Sequence, residues 1–391
     1  MTVTTAARPA SSIEIQPTTH RIDSIDIVRG IVMILMAIDH VRVFSGVPAG
    51  GPTPGLFFTR WITHFVAPAF VFLAGTSAFL HGNRVNRLPV FLITRGVWLL
   101  LLELTVIRFA WTFNFDFSDY LLAGVIWVIG WCMILLAALV FLPARIVGGI
   151  GIAIIVLHNL IPATSPWDGE SGNWLWQLFY DGGSIGPLVI LYTIIPWIGV
   201  MAAGYGFGAL MQRPAEERRV LCIRLGLAMV ALFIVLRAFD VYGDTQPWKD
   251  DYGMPAGFRF LNTAKYPASL LFLLMTLGPA VLALGLFERA RGRLAGVLTT
   301  FGRVPLFYYL LHIPAIHIAA LIVSLVRGGG LEPWLFTNHP MGNPQPPDDY
   351  TWSLPLLYLV TALVVFALYF PCRWFGRVKM EKRDLKWLSY L

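Results

Sequence analysis

The segment Ile25–Phe44 reads IDIVRGIVMILMAIDHVRVF and decides the class of fold. Its length is about the 20 residues that an α-helix needs to cross the hydrocarbon of a bilayer. It also carries ionisable side chains, each of which costs at least about 2.5–3.5 kcal/mol at the centre of a membrane helix. The segment therefore predicts a membrane helix inside a bundle, with its charged side chains turned away from lipid.

The composition of the whole chain agrees with a polytopic membrane protein. Of 391 residues, 57% are hydrophobic and 13% are charged, whereas soluble domains carry about 25% charged residues. The mean hydropathy is +0.68. These values exclude a soluble enzyme, a disordered chain and a fibrous repeat. Cys132, Cys222 and Cys372 are odd in number and far apart, so we expect no disulfide framework and no zinc site.

Apolar runs predict an all-α bundle of about ten transmembrane helices. No apolar segment of the kind found in a cleavable signal peptide precedes the first run, so the first run is predicted to stay as an uncleaved helix. The ten runs are Ile25–Phe44, Trp61–Leu80, Leu88–Ala110, Leu121–Leu142, Ile146–Ile161, Ile185–Met211, Val220–Phe239, Tyr266–Leu286, Val304–Val326 and Leu354–Phe375.

The charges between the runs predict the orientation, because Lys and Arg are retained on the cytoplasmic side. Basic and acidic connections alternate along the chain, which places both termini in the cytoplasm. The net charge of +7 and the pI of 9.4 then come from a basic rim at the cytoplasmic membrane face, so no nucleic-acid partner is expected. We divide the chain into a disordered cytoplasmic tail at 1–20, a transmembrane domain at 21–376 and a basic cytoplasmic tail at 377–391.

The first predicted helix contains Asp26, Arg29, Asp39 and His40. Arg29 and His40 are eleven residues apart, which brings them within about 20° of the same helix face and about 16 Å apart along the axis. Asp26 lies one turn before Arg29 and is predicted to form a structural ion pair with it. The stripe from Asp26 to His40 is predicted to point into the bundle. His40 is the main candidate for chemistry, because imidazole titrates near neutral pH.

Arg60 and His64 share one face of the second predicted helix and are expected level with His40. Together with Asp39 they form a predicted polar cluster near the outer leaflet. Histidine and aspartate are also zinc ligands, but no HxxxH or HExxH spacing occurs here. We therefore predict no metal site.

Two later helices carry further candidates. The third helix carries Arg95, Glu103 and Arg108, and a structural Arg–Glu pair buried in the bundle is predicted, with Arg95 and Glu103 as its residues. Tyr308 and His312 share a face of the ninth helix at i, i+4 spacing. We predict that both line the same cavity as His40, with burial for structural reasons as the alternative.

Three stretches resemble the heparan-α-glucosaminide N-acetyltransferase catalytic domain family. They are RIDSIDIVRG at 21–30, FVAPAFVFLAG at 65–75 and FGRVPLFYYLLH at 301–312. The chain resembles a bacterial-type member of this family. The spacing of Arg29 and His40 is also similar to that in bacterial membrane acyltransferases acting on surface polysaccharides, in which a histidine at this spacing is taken as essential.

The resemblance implies an acyl-CoA-dependent membrane acyltransferase of the cell membrane. Such an enzyme would move an acyl group, expected to be acetyl, from cytosolic acetyl-CoA to a sugar or envelope-glycan acceptor on the outer side. His40 would be the general base or a transient acyl carrier, and Asp39 would tune or orient it. The lysosomal enzyme has its proposed active histidine in the first outer loop. Residues 45–59 contain none, which leaves His40 or His64 for that role.

The remaining candidates would bind substrates. Arg60, with His64, would bind the acceptor or stabilise an oxyanion. Arg29 would guide the phosphate or pantetheine part of the donor, and Tyr308 and His312 would line the cavity.

Two other classes of function stay open from the sequence. Intramembrane ionisable residues also suit a proton-coupled secondary transporter of a small solute. The two halves of the chain show no clear similarity of the kind that inverted-repeat transporters have. A noncatalytic membrane scaffold is the third alternative. The acyl group, the acceptor and assembly into a homo-oligomer are likewise open.

Overall fold

The computed structural model describes residues 21–82, 87–161, 173–250, 253–341 and 344–382, together with Leu385 and Leu388. The predicted tail at 1–20 lies outside these residues, as does part of the predicted tail at 377–391.

The described chain is built from eleven principal helices, and the all-α membrane bundle predicted from the sequence is confirmed. The helices are α1 Asp23–Phe44, α2 Pro54–Gly82, α3 Leu88–Thr112, α4 Val125–Leu139, α5 Ala144–Leu160, α6 Ile194–Met211, α7 Ala215–Phe239, α8 Leu270–Arg289, α9 Arg293–Arg303, α10 Pro305–Gly328 and α11 Leu354–Glu381. Seven of the described helices are long and apolar enough to cross a membrane: α2, α3, α6, α7, α8, α10 and α11.

Each predicted apolar run coincides with one of these helices. The charged helix α1 and the shorter helices α4 and α5 account for the three runs outside the seven. The total of ten crossings and the cytoplasmic placement of the termini stay predictions. Helix α9 had no counterpart among the runs, because it has only eleven residues, and its mixture of polar and apolar side chains is that of an amphipathic helix.

Two predicted runs begin too early, because their first residues form a small sheet. The strands β1 Leu121–Ala123, β2 Gly183–Ile185 and β3 Leu188–Ile190 have the order β1-β3-β2. β1 pairs parallel to β3, and β2 pairs antiparallel to it. Gly186 adopts a φ of 56° between β2 and β3, a conformation that favours a tight turn over a helix. Short helical segments at Asn173–Trp176, Ala256–Leu261, Pro333–Phe336 and His339–Met341 complete the connections.

Helix α1 lies at the centre of the bundle. It packs against α2, α8, α9, α10 and α11. Asp26 is only 2% exposed and interacts with Arg21, with Arg29 at 3.8 Å and with Arg303 at 3.7 Å. A helix with this many ionisable side chains is stable in a membrane only when its neighbours supply partners.

Glycines bring α1 into backbone contact with α9. A methyl group added at Gly30 would lie 2.0 Å from the carbonyl oxygen of Leu298, and one added at Gly302 would lie 1.8 Å from that of Asp26. Gly75 on α2 and Gly204 on α6 approach the facing backbones of Met201 and Phe72 in the same way. Small residues at such positions are typical of membrane helix packing, since they allow extensive van der Waals contact between backbones.

Replacement of Gly30 or Gly302 by alanine should therefore separate α1 from α9. We expect each variant to lose about 1–3 kcal/mol of stability, the range for overpacked contacts, seen as a lower midpoint of thermal unfolding in detergent. Gly296→Ala is the matched control. Gly296 lies on the same helix with open space around it, so the change should be neutral or stabilising by up to about 1 kcal/mol. Equal midpoints for all three variants would contradict the proposed packing constraint.

Candidate active site

His40 and His312 form a direct contact between α1 and α10. His40 Nδ1 lies 2.6 Å from His312 Nε2, and the two rings stack at a centroid distance of 4.8 Å. His312 is fully buried, whereas His40 is partly exposed. The two histidines are 272 residues apart in the chain, and packing of α10 on α1 brings them together.

The backbone of α10 determines which ring nitrogens carry protons. His312 Nδ1 lies 2.7 Å from the carbonyl oxygen of Tyr309 and 3.2 Å from that of Tyr308. A carbonyl oxygen only accepts, so His312 Nδ1 carries a hydrogen and, in the neutral ring, Nε2 is the acceptor. His40 Nδ1 must then donate to His312. The open lone pair of the His40 ring is therefore on Nε2.

Aromatic side chains hold the histidine pair. Trp111 packs edge-on against His40 at 4.9 Å, and Tyr308 stacks on His312 at 5.3 Å. The Tyr308 hydroxyl is buried and has no hydrogen-bond partner among the described residues. Pairing with a carboxylate often orients a catalytic imidazole, but here a second imidazole takes that place.

The Asp39 carboxylate does not contact the His40 ring in this way. Its Oδ1 accepts from Arg42 Nε at 3.0 Å and from Arg60 Nη1 at 3.1 Å. Arg60 Nη1 also lies 3.2 Å from Asp39 Oδ2. The predicted convergence of Asp39 and Arg60 is thus present, and any effect of Asp39 on His40 acts through electrostatics, not through a hydrogen bond.

His64 lies one turn after Arg60, in a 3₁₀ segment at Ile62–Phe65 that interrupts α2. Its ring is 6% exposed and packs edge-on against Phe272 of α8 at 5.5 Å. His64 Nδ1 has no hydrogen bond within the described parts of the chain. The structure places His64 beside the Arg60 cluster but gives it no contact with His40.

A cavity of about 210 Å³ lies near this cluster. Lys265 and Tyr266 line it, and both interact electrostatically with Arg60 and Asp39. Trp197 at the start of α6 forms another part of the wall. None of these three residues was a candidate from the sequence. The one available signal was a lysine just before an apolar run at the acidic end of the bundle, where positive charge is unusual.

Arg29 lies at the opposite end of α1 from this cavity. Its guanidinium donates to the carbonyl oxygen of Leu73 at 3.1 Å and to the Ser77 hydroxyl. Arg95 and Lys379 lie within electrostatic range of it, and Arg29 is 16% exposed. This end of the bundle therefore presents a basic group made of Arg29, Arg95 and Lys379, which we call the basic cluster.

Glu103 and Arg95 do not form the buried pair expected from the sequence. Glu103 Oε1 accepts from the backbone N–H of Gly124 at 3.0 Å, and Oε2 has no hydrogen-bond partner in the described structure. The Arg95 guanidinium lies over the Phe91 ring at 5.9 Å. Eight residues separate the two along α3, which is about 12 Å of helix. The prediction of an ion pair between them, which was based on their presence on the same helix, is therefore wrong.

The described residues contain no group of three His, Cys, Asp or Glu side chains arranged to hold a metal ion.

Comparison with known families adds to this geometry. The family model described as heparan-alpha-glucosaminide N-acetyltransferase, catalytic, matches residues 21–238, more than half of the chain. The chain belongs to this family. A search of curated proteins found no match. Membership implies membrane acetyltransferase-type activity.

The structure explains the stretches that resemble the N-acetyltransferase family. In the first, Gly30 allows the approach of α9, and Arg29 reaches Leu73 and Ser77 in and beside the second. The third stretch lies beyond the matched residues, yet its Gly302 and Arg303 contact α1. All three stretches therefore meet around the first half of α1.

The proton positions in the histidine pair can be tested directly. Nitrogen NMR spectra of histidine-labelled protein at neutral pH should show the Nδ1–H tautomer for both His40 and His312, because the Tyr309 carbonyl oxygen holds the first proton. Signals are assigned from their loss in His40→Ala and His312→Ala. A His40 ring protonated on Nε2 in the neutral pair would contradict the assignment.

Proposed function

We propose that this N-acetyltransferase family member moves an acetyl group from cytosolic acetyl-CoA to a hydroxyl or amine of a sugar or envelope glycan. The observation that carries the proposal is the His40–His312 pair, whose tautomers leave His40 Nε2 available as a base in a partly exposed position. General base catalysis by a placed imidazole contributes about 10²–10⁴ in rate. The family match favours this function over a transporter or a scaffold.

In the proposed reaction, His40 Nε2 takes the proton from the acceptor O–H or N–H as that atom attacks the thioester carbonyl carbon. A new C–O or C–N bond forms, the C–S bond breaks, and the CoA thiolate leaves with the electron pair. The proton returns from His40 to the thiolate. His312 is a positioning residue, since its Nε2 accepts from His40 Nδ1–H and stabilises the imidazolium.

The Arg60 guanidinium suits the negative charge that develops on the carbonyl oxygen in this reaction. The attacked carbonyl becomes an oxyanion in the transition state, and nearby cationic or N–H donors stabilise it. Arg60 is the proposed donor, held in place by Asp39. Asp39 thus acts mainly through Arg60. His64 and Tyr308 are proposed to line the path that the acceptor and the acyl group share.

The basic cluster is the proposed binding site for the donor. CoA carries phosphates on its nucleotide end, and arginine and lysine recognise phosphate through charge-assisted hydrogen bonds. The distance from Arg29 to His40 is about 16 Å along α1, which a pantetheine arm bridges in an extended form. We propose that the Arg29 end faces the cytoplasm and the His40 end faces the outside of the cell membrane.

His40→Ala should lower acetyl transfer by about 10²–10⁴, the contribution of a general base. The assay uses purified protein in lipid vesicles with radiolabelled acetyl-CoA and scores label in glycan, lipid and protein. His81→Ala is the control, because His81 lies at the far end of α2 against Phe91, and it should retain activity. Undiminished transfer by a normally folded His40→Ala protein would exclude His40 as the base.

Replacement of Arg29 or Lys379 by methionine should raise the KM for acetyl-CoA more than it lowers kcat, because these residues are proposed to bind the donor and not the reacting atoms. Loss of one charge-assisted hydrogen bond corresponds to about a tenfold or greater increase. Arg373→Met removes an exposed cation from the same helix as Lys379 and should leave KM unchanged. An equal increase in KM for all three variants would contradict a specific donor site, because it would show that only the total positive charge of this surface matters.

A further inference from the structure

The cavity near Arg60 has features of an anion-binding site. It is lined by Lys265, Tyr266, Trp197, Thr193 and Asp181, among others, and its volume is about 210 Å³. Ligand pockets for drug-sized molecules are about 300–1,000 Å³. This cavity is therefore of a size for one sugar residue or one charged substituent, not for an oligosaccharide.

The surrounding loops hold Lys265 in place. The backbone N–H of the preceding residue, Ala264, donates to the Asp244 carboxylate at 3.2 Å. Asp244 in turn pairs with the fully buried Arg237 at 3.4 Å. Lys265 Nζ lies 5.2 Å from the centre of the Tyr266 ring and 5.7 Å from that of Tyr192. The ammonium group is thus placed by a built framework and not by a flexible loop.

Lys265 lacks a carboxylate partner. It is 8% exposed, and no ion pair to it is present in the described part of the chain. Burial lowers the pKa of Lys265 through desolvation of the charged amine. Tyr266 and Asp39 favour the charge of Lys265, but the Asp39 carboxylate is already paired with two arginines. A buried cation is costly unless it is fully paired, and a bound anion would lower that cost.

The charges around the cavity do not balance. Arg42, Arg60 and Lys265 surround the partly buried carboxylate of Asp39. Both oxygens of Asp39 already accept from the arginines. Asp181 also lines the cavity, but it is exposed to solvent and its charge is screened. These buried and partly buried side chains therefore carry a positive excess on the side of Lys265.

The cavity is also electrostatically coupled to the proposed base. Lys265 lies close enough to His40 for their charges to interact, and Arg60 connects the two through Asp39. The cavity thus lies within electrostatic range of the proposed base. This position suits an anionic group of the same molecule that presents its hydroxyl or amine to His40.

We propose that the cavity binds an oxyanion of the acceptor, a carboxylate or a phosphate carried by its sugar, with Lys265 and Tyr266 as the main ligands. This inference rests on the proposed acyl transfer and narrows the acceptor to an acidic sugar. Lys265 donates through its ammonium group and Tyr266 through its hydroxyl, as oxyanions require.

The test measures binding without acetyl-CoA, so its result is independent of the transfer reaction. Full-length protein in phosphatidylcholine nanodiscs is dialysed against radiolabelled glucuronate, glucose 6-phosphate or glucose. The two acidic sugars should bind at least about tenfold more tightly than glucose, as expected for a charge-assisted hydrogen bond. Lys265→Met should abolish this preference, whereas Lys265→Arg, which keeps the charge, should retain part of it.

Lys249→Met is the matched control, because Lys249 is an exposed lysine of the same connection, and its loss should not affect binding. Equal binding of acidic and neutral sugars by the unmodified protein would overturn the inference, and so would undiminished preference in Lys265→Met. Acidic-sugar binding that disappears in phosphatidylglycerol nanodiscs would assign the cavity to a lipid headgroup and likewise overturn it. If His40→Ala loses acetyl transfer but still binds the acidic sugars, the result supports His40 as the base and, independently, the cavity as the acidic-sugar site.

Discussion

The cost of ionisable side chains in a membrane determines the place of α1, and the rest of the bundle follows from that place. Asp26, Arg29, Asp39 and His40 cannot face lipid, so α1 must be surrounded by other helices. Each charged side chain then needs a partner from a neighbour: Arg303 from α9, Ser77 from α2, Arg60 from α2 and His312 from α10. The same residues that would destabilise α1 alone therefore specify which helices surround it.

The two ends of α1 make different kinds of polar contact. At the Asp26 end the partners are cations, and Arg29, Arg95 and Lys379 leave a net basic surface. At the His40 end, the contacts are a pair of imidazoles and one carboxylate that two arginines share. Close backbone packing at Gly30 keeps the first end rigid. The separation of these two sets of contacts along α1 matches the proposed reaction, in which the donor and the acceptor bind at opposite ends of the helix.

Much of the fold was predictable, because an apolar run of about 20 residues has few alternatives to a membrane helix. Pairing inside the bundle was less predictable. Contacts along one helix follow from spacing, as for Asp26 and Arg29, but those between helices depend on neighbours that the sequence does not specify. His40 and His312 were each candidates, yet their direct contact was not foreseen. Lys265 was missed because it lies in a connection where no helical spacing applies, and Arg95 was wrongly paired with Glu103 because both are polar residues of α3.

The distance of 272 residues between His40 and His312 has a consequence for biogenesis. As the chain is inserted, α1 enters the membrane early with an imidazole that has no partner until α10 has been synthesised. A chain synthesised only as far as α9 therefore lacks the contact between His40 and His312, although it already contains Lys265. In the proposed reaction, such an incomplete chain has no oriented base. Completion of the proposed catalytic pair thus waits for the tenth of the eleven principal helices that the structure describes.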